Sequence, residues 1–364
     1  MKQWQDVKKD IAAYKKERWT DTVYALFHDF TMPKERVVEL LRSGNENFLA
    51  PASWHLYVME KYEVRQDYNN VVSIKLVIPS YCQAKCAFCF MKAYEKMEHD
   101  SDLFLMRFLD SLGDVVGALY GKQAISLDIT GNEPTFNPNL LRKVLRALKQ
   151  SRWLDKINRV VLTTNGYKLA EVVDDLVGVV NYVNISTHHY ELGERRRIFG
   201  TWRIPDDKEL NRTVMSLLVK GIRASTVAVI YEPIDRFGLF VDNYIRWADS
   251  IGFESIRFRG ECATTDFAPT FNRYINHIIK SGKYHVVQEE DTNDSHWCRL
   301  VDDNGFFFFM LQGVPSTYEC SRGIEYIIND DGRAYLDYNK EHPFRENDLP
   351  VEYIFDKKQS AQSV

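Results

Sequence analysis

Hydrophobic and polar positions in the middle of the chain alternate between two kinds of segment. Short runs of β-branched or apolar residues are separated by longer stretches in which apolar positions recur every three or four residues. The short runs are typical of buried strands, and the longer stretches are typical of helices that pack on a sheet. Six runs show this pattern, at residues 72–78, 124–130, 160–164, 182–186, 226–231 and 255–259. The order predicts consecutive βα units around a parallel sheet.

Six βα units predict an α/β fold, a partial (β/α)6 TIM-like barrel over residues 71–263. The connecting segments 102–120 and 139–150 have the clearest helical spacing of apolar residues. In parallel barrels the reactive groups gather at the carboxyl ends of the strands. We therefore expect the functional residues in the loops that follow the six runs.

The two flanking regions have a different pattern. Residues 1–70 read as amphipathic helices, clearest at 32–41, and predict an N-terminal helical extension. Residues 264–364 contain two turn signals, Asp303-Asn304-Gly305 and Asp330-Asp331-Gly332, each flanked by apolar or aromatic runs. Such turns predict β-hairpins. We expect this region to form a C-terminal hairpin-containing extension that covers the substrate.

Composition and charge narrow the class of protein. The chain has 364 residues, of which 45% are hydrophobic, so it can bury a large core. Its net charge of −4 and its pI near 6.2 do not indicate a nucleic-acid partner or an anionic membrane surface. The most apolar run, residues 306–311, is too short to span a bilayer, and the first residues lack the apolar core of a signal peptide. We expect a cytoplasmic protein without a membrane partner.

Three cysteines follow the first strand run at C-x3-C-x2-C spacing: Cys82, Cys86 and Cys89. Cysteine thiolates are the usual ligands of [4Fe-4S] clusters, and a complete set has four. Three ligands in one loop would leave one iron open to another molecule. Structural zinc is the alternative, but it prefers four Cys or His ligands and often takes them from two C-x2-C pairs, of which this loop has one.

The cysteine loop, including Phe88 directly before the last cysteine, resembles the cluster motif of the radical S-adenosylmethionine (radical SAM) superfamily. The resemblance implies two cofactors, a [4Fe-4S] cluster and S-adenosylmethionine (SAM). It also implies that the amino and carboxylate groups of SAM bind the open iron, and that one electron cleaves SAM into methionine and a 5′-deoxyadenosyl radical. A one-electron donor such as flavodoxin or ferredoxin is the implied protein partner.

Further strand-end motifs extend the resemblance. Gly131-Asn132-Glu133-Pro134 follows the second run and resembles the G-G-E-P element of the superfamily, with Asn132 in place of the second glycine. Thr163-Thr164-Asn165-Gly166 resembles the turn that lines the adenosyl side of the pocket. Ser186 and His188 follow the fourth run, where the superfamily holds the SAM ribose and carboxylate.

The resulting candidate cofactor contacts are Phe88, Gly131, Asn132, Glu133, Asn165, Ser186, His188 and Arg257. His188 stands where an acidic residue is commoner, so its role as ribose contact, substrate contact or proton donor stays open. Arg257 on the sixth strand suits the SAM carboxylate or a substrate anion, and an ion pair that supports the fold is the alternative. No residue is assigned a catalytic role.

The segment from Tyr190 to Gly200 resembles the loop and helix after the fourth strand in enzymes such as the GTP cyclase of molybdopterin synthesis. Its three consecutive arginines, residues 195–197, suit a phosphate or carboxylate. The alternative is a solvated helix face with Glu–Arg pairs. The core motifs therefore resemble the GTP cyclase branch of the superfamily.

We expect a radical SAM enzyme that abstracts hydrogen from an unidentified substrate. An anionic small molecule or nucleotide is preferred, with peptide modification as the alternative within this superfamily. A non-catalytic iron–sulfur or zinc protein is the alternative of a different class. Whether Cys262, Cys298 and Cys320 bind a second cluster stays open, because the hairpin after Cys320 lacks the further cysteine that auxiliary-cluster domains usually carry.

Overall fold

The computed structural model describes residues 71–89, 91, 101–119, 124–261, 267–291, 295–303, 305–313, 325–338 and 340–344. These residues form two compact units. The first unit contains the described residues up to Gln83, those from Phe90 to Tyr182, and those after Ser316. The second unit contains Ala84–Cys89 and the described residues of Val183–Pro315. The cysteine loop is therefore divided, with Cys82 in the first unit and the other two thiols in the second.

The first unit is built on a five-stranded sheet in the order β11-β10-β1-β2-β3. Neighbouring strands pair in parallel except at β10 and β11, which form an antiparallel hairpin. Two helices pack within this unit. The elements are β1 (Val71–Ile78), α1 (Ser101–Leu119), β2 (Ala124–Gly131), α2 (Pro138–Gln150), β3 (Arg159–Thr164), β10 (Glu325–Ile328) and β11 (Ala334–Tyr335).

Helix α2 illustrates why these segments are helical. Asn137 caps it by accepting a hydrogen bond from the Leu140 N–H at 3.2 Å, and Pro138 occupies the first turn, where its missing N–H costs nothing. Leu141, Val144 and Leu148 then fall on one buried stripe. Full burial of such a side chain contributes about 1.5–3 kcal/mol.

The strands of the second unit lie in the order β4-β5-β6-β9-β8-β7. Strand β6 pairs in parallel with β5 and β9, whereas β8 pairs antiparallel with both β7 and β9. The strands are β4 (Tyr182–Ser186), β5 (Arg223–Ile230), β6 (Ser255–Gly260), β7 (His285–Asp291), β8 (Ser295–Val301) and β9 (Phe307–Gly313). The helices are α3 (Leu192–Phe199), α4 (Asp207–Val219), α5 (Phe237–Ile251) and α6 (Ala268–Lys280).

One face of the second sheet is packed with aromatic side chains, and the opposite face carries Arg257. Phe258 on β6 is fully buried and meets the ring of Tyr244 from α5 at 5.2 Å between centroids. Phe308 on β9 lies beside it at 6.1 Å. Because side chains alternate along a strand, the neighbouring residues Arg257 and Phe309 face the opposite side of the sheet, away from this aromatic core.

The structure confirms the predicted α/β class and all six strand runs. It also confirms the helices predicted at 102–120 and 139–150 and both predicted hairpins, which are β8–β9 and β10–β11. Strand β7 was not predicted. Both hairpins extend a sheet, since β9 lies along β6 and β10 lies along β1.

The predicted covering role and the boundaries at residues 70 and 263 stay predictions, and the helices predicted in residues 1–70 lie outside the described residues. None of the described helices is long and apolar enough to cross a bilayer.

Candidate cofactor site

The loop after β2 begins at a position that requires glycine. Gly131 has φ of +123°, and a Cβ added there would lie 3.0 Å from the backbone nitrogen of Ile78 and 3.1 Å from its oxygen. Only glycine accepts this backbone conformation without strain. The half-buried Asn132 follows directly. The positive φ and the close approach of β2 to β1 explain why the first residue of the G-N-E-P element is glycine.

Glu133 is buried at the end of β2 and has internal partners for both carboxylate oxygens. Its Oε1 accepts from the Thr135 N–H at 3.0 Å and from the Thr164 hydroxyl at 2.6 Å, while its Oε2 accepts from the Asn165 N–H at 2.7 Å. Burial raises the pKa of this carboxyl, against the lowering effect of these hydrogen bonds. The carboxylate therefore joins the ends of β2 and β3. Direct contact between Glu133 and SAM stays a prediction.

Asn165 connects this network to the first cysteine. Its side-chain Nδ2 lies 3.6 Å from the sulfur of Cys82, within hydrogen-bonding range for sulfur. Its Oδ1 accepts from the Gln83 side-chain amide and from the Tyr167 N–H, both at 3.0 Å. An N–H group directed at a cysteine sulfur favours the thiolate, which is the form that binds metal.

The other two cysteines of the loop lie in the second unit. Cys86 is buried against Phe199 and Ile204. The Lys85 N–H donates to the Phe199 carbonyl at 2.7 Å, and the Cys89 N–H donates to the Cys86 carbonyl at 3.3 Å. The first bond joins this half of the loop to the last residue of α3, and the second closes a turn within the loop.

Phe88 and His188 are brought together in the second unit. The Phe88 ring meets the His188 imidazole edge-on at 4.9 Å and the Tyr231 ring at 4.8 Å. On its other side, the imidazole contacts Phe199 at 4.8 Å. Ser186 is half-buried at the end of β4, two residues before the imidazole.

His188 has an unusual backbone and a fixed tautomer. Its φ is +64°, and its N–H and that of Thr187 both donate to the Val227 carbonyl, at 3.2 and 3.0 Å. Its Nδ1 accepts from the Val229 N–H at 3.1 Å. Burial lowers the pKa of His188 to about 3, so the ring is neutral at pH 7 with its proton on Nε2. A residue held in this backbone region points to a functional role.

Arg257 and the arginine run of α3 differ in their surroundings. The Arg257 guanidinium lies 5.9 Å from the centroid of Phe309 and is half-buried. Arg195 is fully buried, 2.5 Å from an oxygen of Asp207 and stacked on Trp247. Arg197 pairs with Glu194 and Glu232, both at 2.6 Å. The ion pairs of Arg197 are the Glu–Arg pairs of the alternative interpretation, whereas the buried Arg195 is held within the fold by Asp207 and Trp247.

The donor set of the cysteine loop fits an iron–sulfur cluster, because Cys82, Cys86 and Cys89 are three thiols of which none forms a disulfide. Within the described ranges, no three His, Cys, Asp or Glu side chains are grouped closely enough to hold a metal ion. Cys298 is also free, but it is fully buried in β8, and burial raises its pKa to about 12. Cys262 and Cys320 lie outside the described residues.

Comparison with known proteins identifies the kind of domain that contains these residues. Residues 76–230 match the model of the Radical SAM superfamily. The chain carries a radical SAM domain. The predicted resemblance to the radical SAM superfamily is thereby confirmed, and the predicted cofactors, a [4Fe-4S] cluster and SAM, are those that the superfamily uses. The matched range contains all the candidate cofactor residues except Arg257.

Two curated relatives are GTP 3′,8-cyclases. The protein from Actinobacillus succinogenes is 34% identical over 100 residues, and the protein from Mannheimia succiniciproducens is 31% identical over 103 residues. Each match covers 28% of this chain and 28% of the relative. The similarity supports the predicted branch and spans only about a quarter of the relatives' length.

Solved structures similar to this chain include Streptococcus suis SuiB. SuiB bound to S-adenosylmethionine has a TM-score of 0.51 at 12% identity, covering 87% of this chain and 74% of that one. SuiB bound to precursor peptide SuiA has a TM-score of 0.50 at 11% identity, covering 88% and 73%. At this identity the likeness shows the fold, and it confirms the predicted partial TIM-like barrel.

Sequence reasoning missed the residues that support the site. Thr135 and Thr164 hold the Glu133 carboxylate, and Gln83 holds the Asn165 amide. Each stands within two residues of a predicted site residue or cysteine, at a strand end. Their position was the available signal, since hydroxyl and amide groups at buried strand ends need partners.

Proposed function

We propose that this protein is a radical SAM enzyme that binds a [4Fe-4S] cluster through Cys82, Cys86 and Cys89 and acts on an anionic small molecule or nucleotide. When bound, the cluster and SAM supply the radical chemistry: one electron from an external donor cleaves SAM to methionine and a 5′-deoxyadenosyl radical, which takes a hydrogen atom from the substrate and becomes 5′-deoxyadenosine. The observation that carries the proposal is the Cys82 thiol beside the Asn165 amide within a radical SAM domain.

The first unit contributes positioning. Glu133 fixes the backbone of Asn165, and Asn165 directs its amide at the Cys82 sulfur. A hydrogen bond to a ligating sulfur stabilises added negative charge, so it makes the bound metal easier to reduce. The proposed role of this network is to hold Cys82 in place and to raise the reduction potential of the cluster.

The second unit contributes shielding and ligand contact. Cys86 is packed among apolar side chains, and the Phe88 ring contacts the rings of His188 and Tyr231. Such packing excludes water from a site in which a radical must not be quenched. Ser186 and the Nε2–H of His188 are the proposed hydrogen-bonding groups for SAM or substrate.

The preference for an anionic substrate rests on two observations. The curated relatives act on GTP according to their names, and Arg257 stands on β6 beside the residues that contact His188. Peptide modification has weaker support, because SuiB with its precursor peptide shares only the fold with this chain. The proposed electron donor is flavodoxin or ferredoxin.

Anaerobic reconstitution with iron and sulfide, followed by dithionite and SAM, tests this function. We expect about four irons per chain and the formation of 5′-deoxyadenosine. Cys86→Ala should lose both, whereas Cys298→Ala, in the buried face of β8, should keep both and serves as the matched control. A colourless protein that binds zinc and forms no 5′-deoxyadenosine would contradict the proposal. More than about four irons per chain would indicate a second cluster.

A further inference from the structure

Strands β6, β9 and β8 carry two rows of side chains on the sheet face opposite the aromatic core. In the first row, Arg257 pairs with Phe309, and Phe309 pairs with Arg299. In the second row, two residues further along β6, Arg259 pairs with Leu311, and Leu311 pairs with Trp297. We call this set the arginine face; its members are Arg257, Arg259, Arg299, Trp297, Phe309 and Leu311.

The contacts within the first row are close. The guanidinium carbons of Arg257 and Arg299 lie 5.9 and 5.1 Å from the centroid of the Phe309 ring, which is cation–π distance. Strands are spaced about 4.8 Å apart, so the backbones of the two arginines are separated by about 10 Å across the phenylalanine. Two guanidinium groups stacked on one ring are held with little freedom, which favours recognition of an anion between them.

Arg259 adds a third positive charge at the solvent side. It is exposed, and within the described ranges its guanidinium group makes no hydrogen bond or ion pair. Its backbone lies two positions after Arg257, so both side chains project from the same face. The sheet face therefore combines buried, half-buried and exposed guanidinium groups with Phe309, Leu311 and Trp297 as apolar neighbours.

The arginine face adjoins the candidate cofactor residues of the same unit. Arg259 pairs with Val229 of β5, and the Val229 N–H donates a hydrogen bond to His188 Nδ1. Arg257 pairs with Val227, whose carbonyl accepts from the His188 N–H. One strand separates the rows from His188, so a ligand on this face would extend toward the His188 ring and its neighbour Phe88.

We propose that the arginine face binds the oxyanion of the substrate, a phosphate or carboxylate, with the rest of the molecule packed on Phe309, Leu311 and Trp297. This inference rests on the proposed function and names the substrate class: a molecule with an anionic group and a flat or apolar part. Guanidinium groups bind phosphate and carboxylate through paired hydrogen bonds, and these bonds are stronger where water is excluded. Trp297, Arg299, Phe309 and Leu311 lie outside the matched radical SAM range, so this chain adds them to its domain.

Calorimetric titration of the reconstituted full chain with tripolyphosphate and, separately, with citrate tests the inference. We expect at least one to bind, and Arg259→Gln should weaken that binding about tenfold, because one charge-assisted hydrogen bond is lost. The better ligand assigns phosphate or carboxylate as the recognised group. Arg246→Gln, an exposed arginine on α5, is the matched control and should bind as the unmodified protein does.

Arg299→Lys and Arg299→Gln extend the test to the buried position. The lysine variant keeps the charge and should bind more tightly than the glutamine variant, and thermal unfolding of both identifies a folding defect. If neither ion binds, or if Arg259→Gln binds like Arg246→Gln, the arginine face is not an anion site. SAM cleavage without substrate is measured on the same samples: 5′-deoxyadenosine formed while ion binding is absent overturns this inference alone, whereas ion binding without 5′-deoxyadenosine overturns the proposed radical chemistry alone.

Discussion

The side-chain amide of Asn165 lies 3.6 Å from the sulfur of Cys82. The backbone N–H of the same asparagine is held by the buried Glu133 carboxylate at 2.7 Å. A strand-end carboxylate thus orients the residue that donates to a proposed cluster ligand. This arrangement gives Glu133 a positioning role through its two oxygens, beside any contact that it makes with SAM.

Replacing Asn165 should make the cluster harder to reduce. Asn165→Ala removes an N–H donor to Cys82, and the reduced cluster gains more from such a bond than the oxidised cluster. If the bond contributes about 0.5–1.5 kcal/mol, the reduction potential should fall by about 20–60 mV. Redox titration followed by electron paramagnetic resonance measures this shift. Asn139→Ala on the surface of α2 is the control, and an equal potential in both variants would show that the amide does not act on the cluster.

Gly131→Ala should destabilise the fold. The new Cβ would sit 3.0 Å from the Ile78 nitrogen in a residue with φ of +123°. Backbone strain of this kind costs about 1–3 kcal/mol, to be measured by urea unfolding. Gly193→Ala in α3 is the control, because nothing lies within 4 Å of its added Cβ. A Gly131 variant as stable as the Gly193 variant would refute the proposed strain.

His188 should make stability dependent on pH in the acidic range. Burial lowers its pKa from 6.5 to about 3, so the unfolded chain binds a proton that the folded chain does not. The stabilisation is complete above pH 6.5 and is lost progressively as the pH falls from 6.5 toward 3. Between pH 7.5 and 5 the loss should be about 2 kcal/mol.

Urea unfolding of the full chain before reconstitution, at pH 7.5 and at pH 5, measures this contribution. His188→Asn is the comparison, because asparagine tolerates a positive φ and its side-chain oxygen can accept from the Val229 N–H. The variant should lose about 2 kcal/mol less than the unmodified chain over this interval. Parallel losses in the two proteins would mean that His188 is protonated in the folded state.

Local patterns were sufficient for the six strands and for α1 and α2, because their burial depends on alternation and helical spacing within one segment. They were not sufficient for the pairing of β10 with β1 across about 250 residues, since no local pattern encodes a distant strand neighbour. Strand β7 carries the polar sequence Gln288-Glu289-Glu290-Asp291 and so lacked the apolar signal of a strand. Tertiary pairing with β8 determines its conformation.

The candidate site was predicted in part for a similar reason. Residue type and strand-end position identified Glu133 and Asn165, but the hydrogen-bond partners of their side chains depend on three-dimensional contacts with Thr135 and Thr164. Arg195 shows the same limit: its sequence context suggested a basic surface, yet its side chain packs inward on Trp247 and pairs with Asp207. The rows of the arginine face became apparent only from the register of β6, β9 and β8.

In the proposed function, three thiols of one loop hold a cluster that cleaves SAM. The most direct test of this function is the yield of 5′-deoxyadenosine from reconstituted, dithionite-reduced protein supplied with SAM. We expect 5′-deoxyadenosine from the unmodified chain and from Cys298→Ala, and none from variants in which Cys82, Cys86 or Cys89 is replaced by alanine. The proposed function is wrong if the reconstituted, reduced chain leaves SAM intact, or if the loop variants cleave SAM as well as the unmodified chain does.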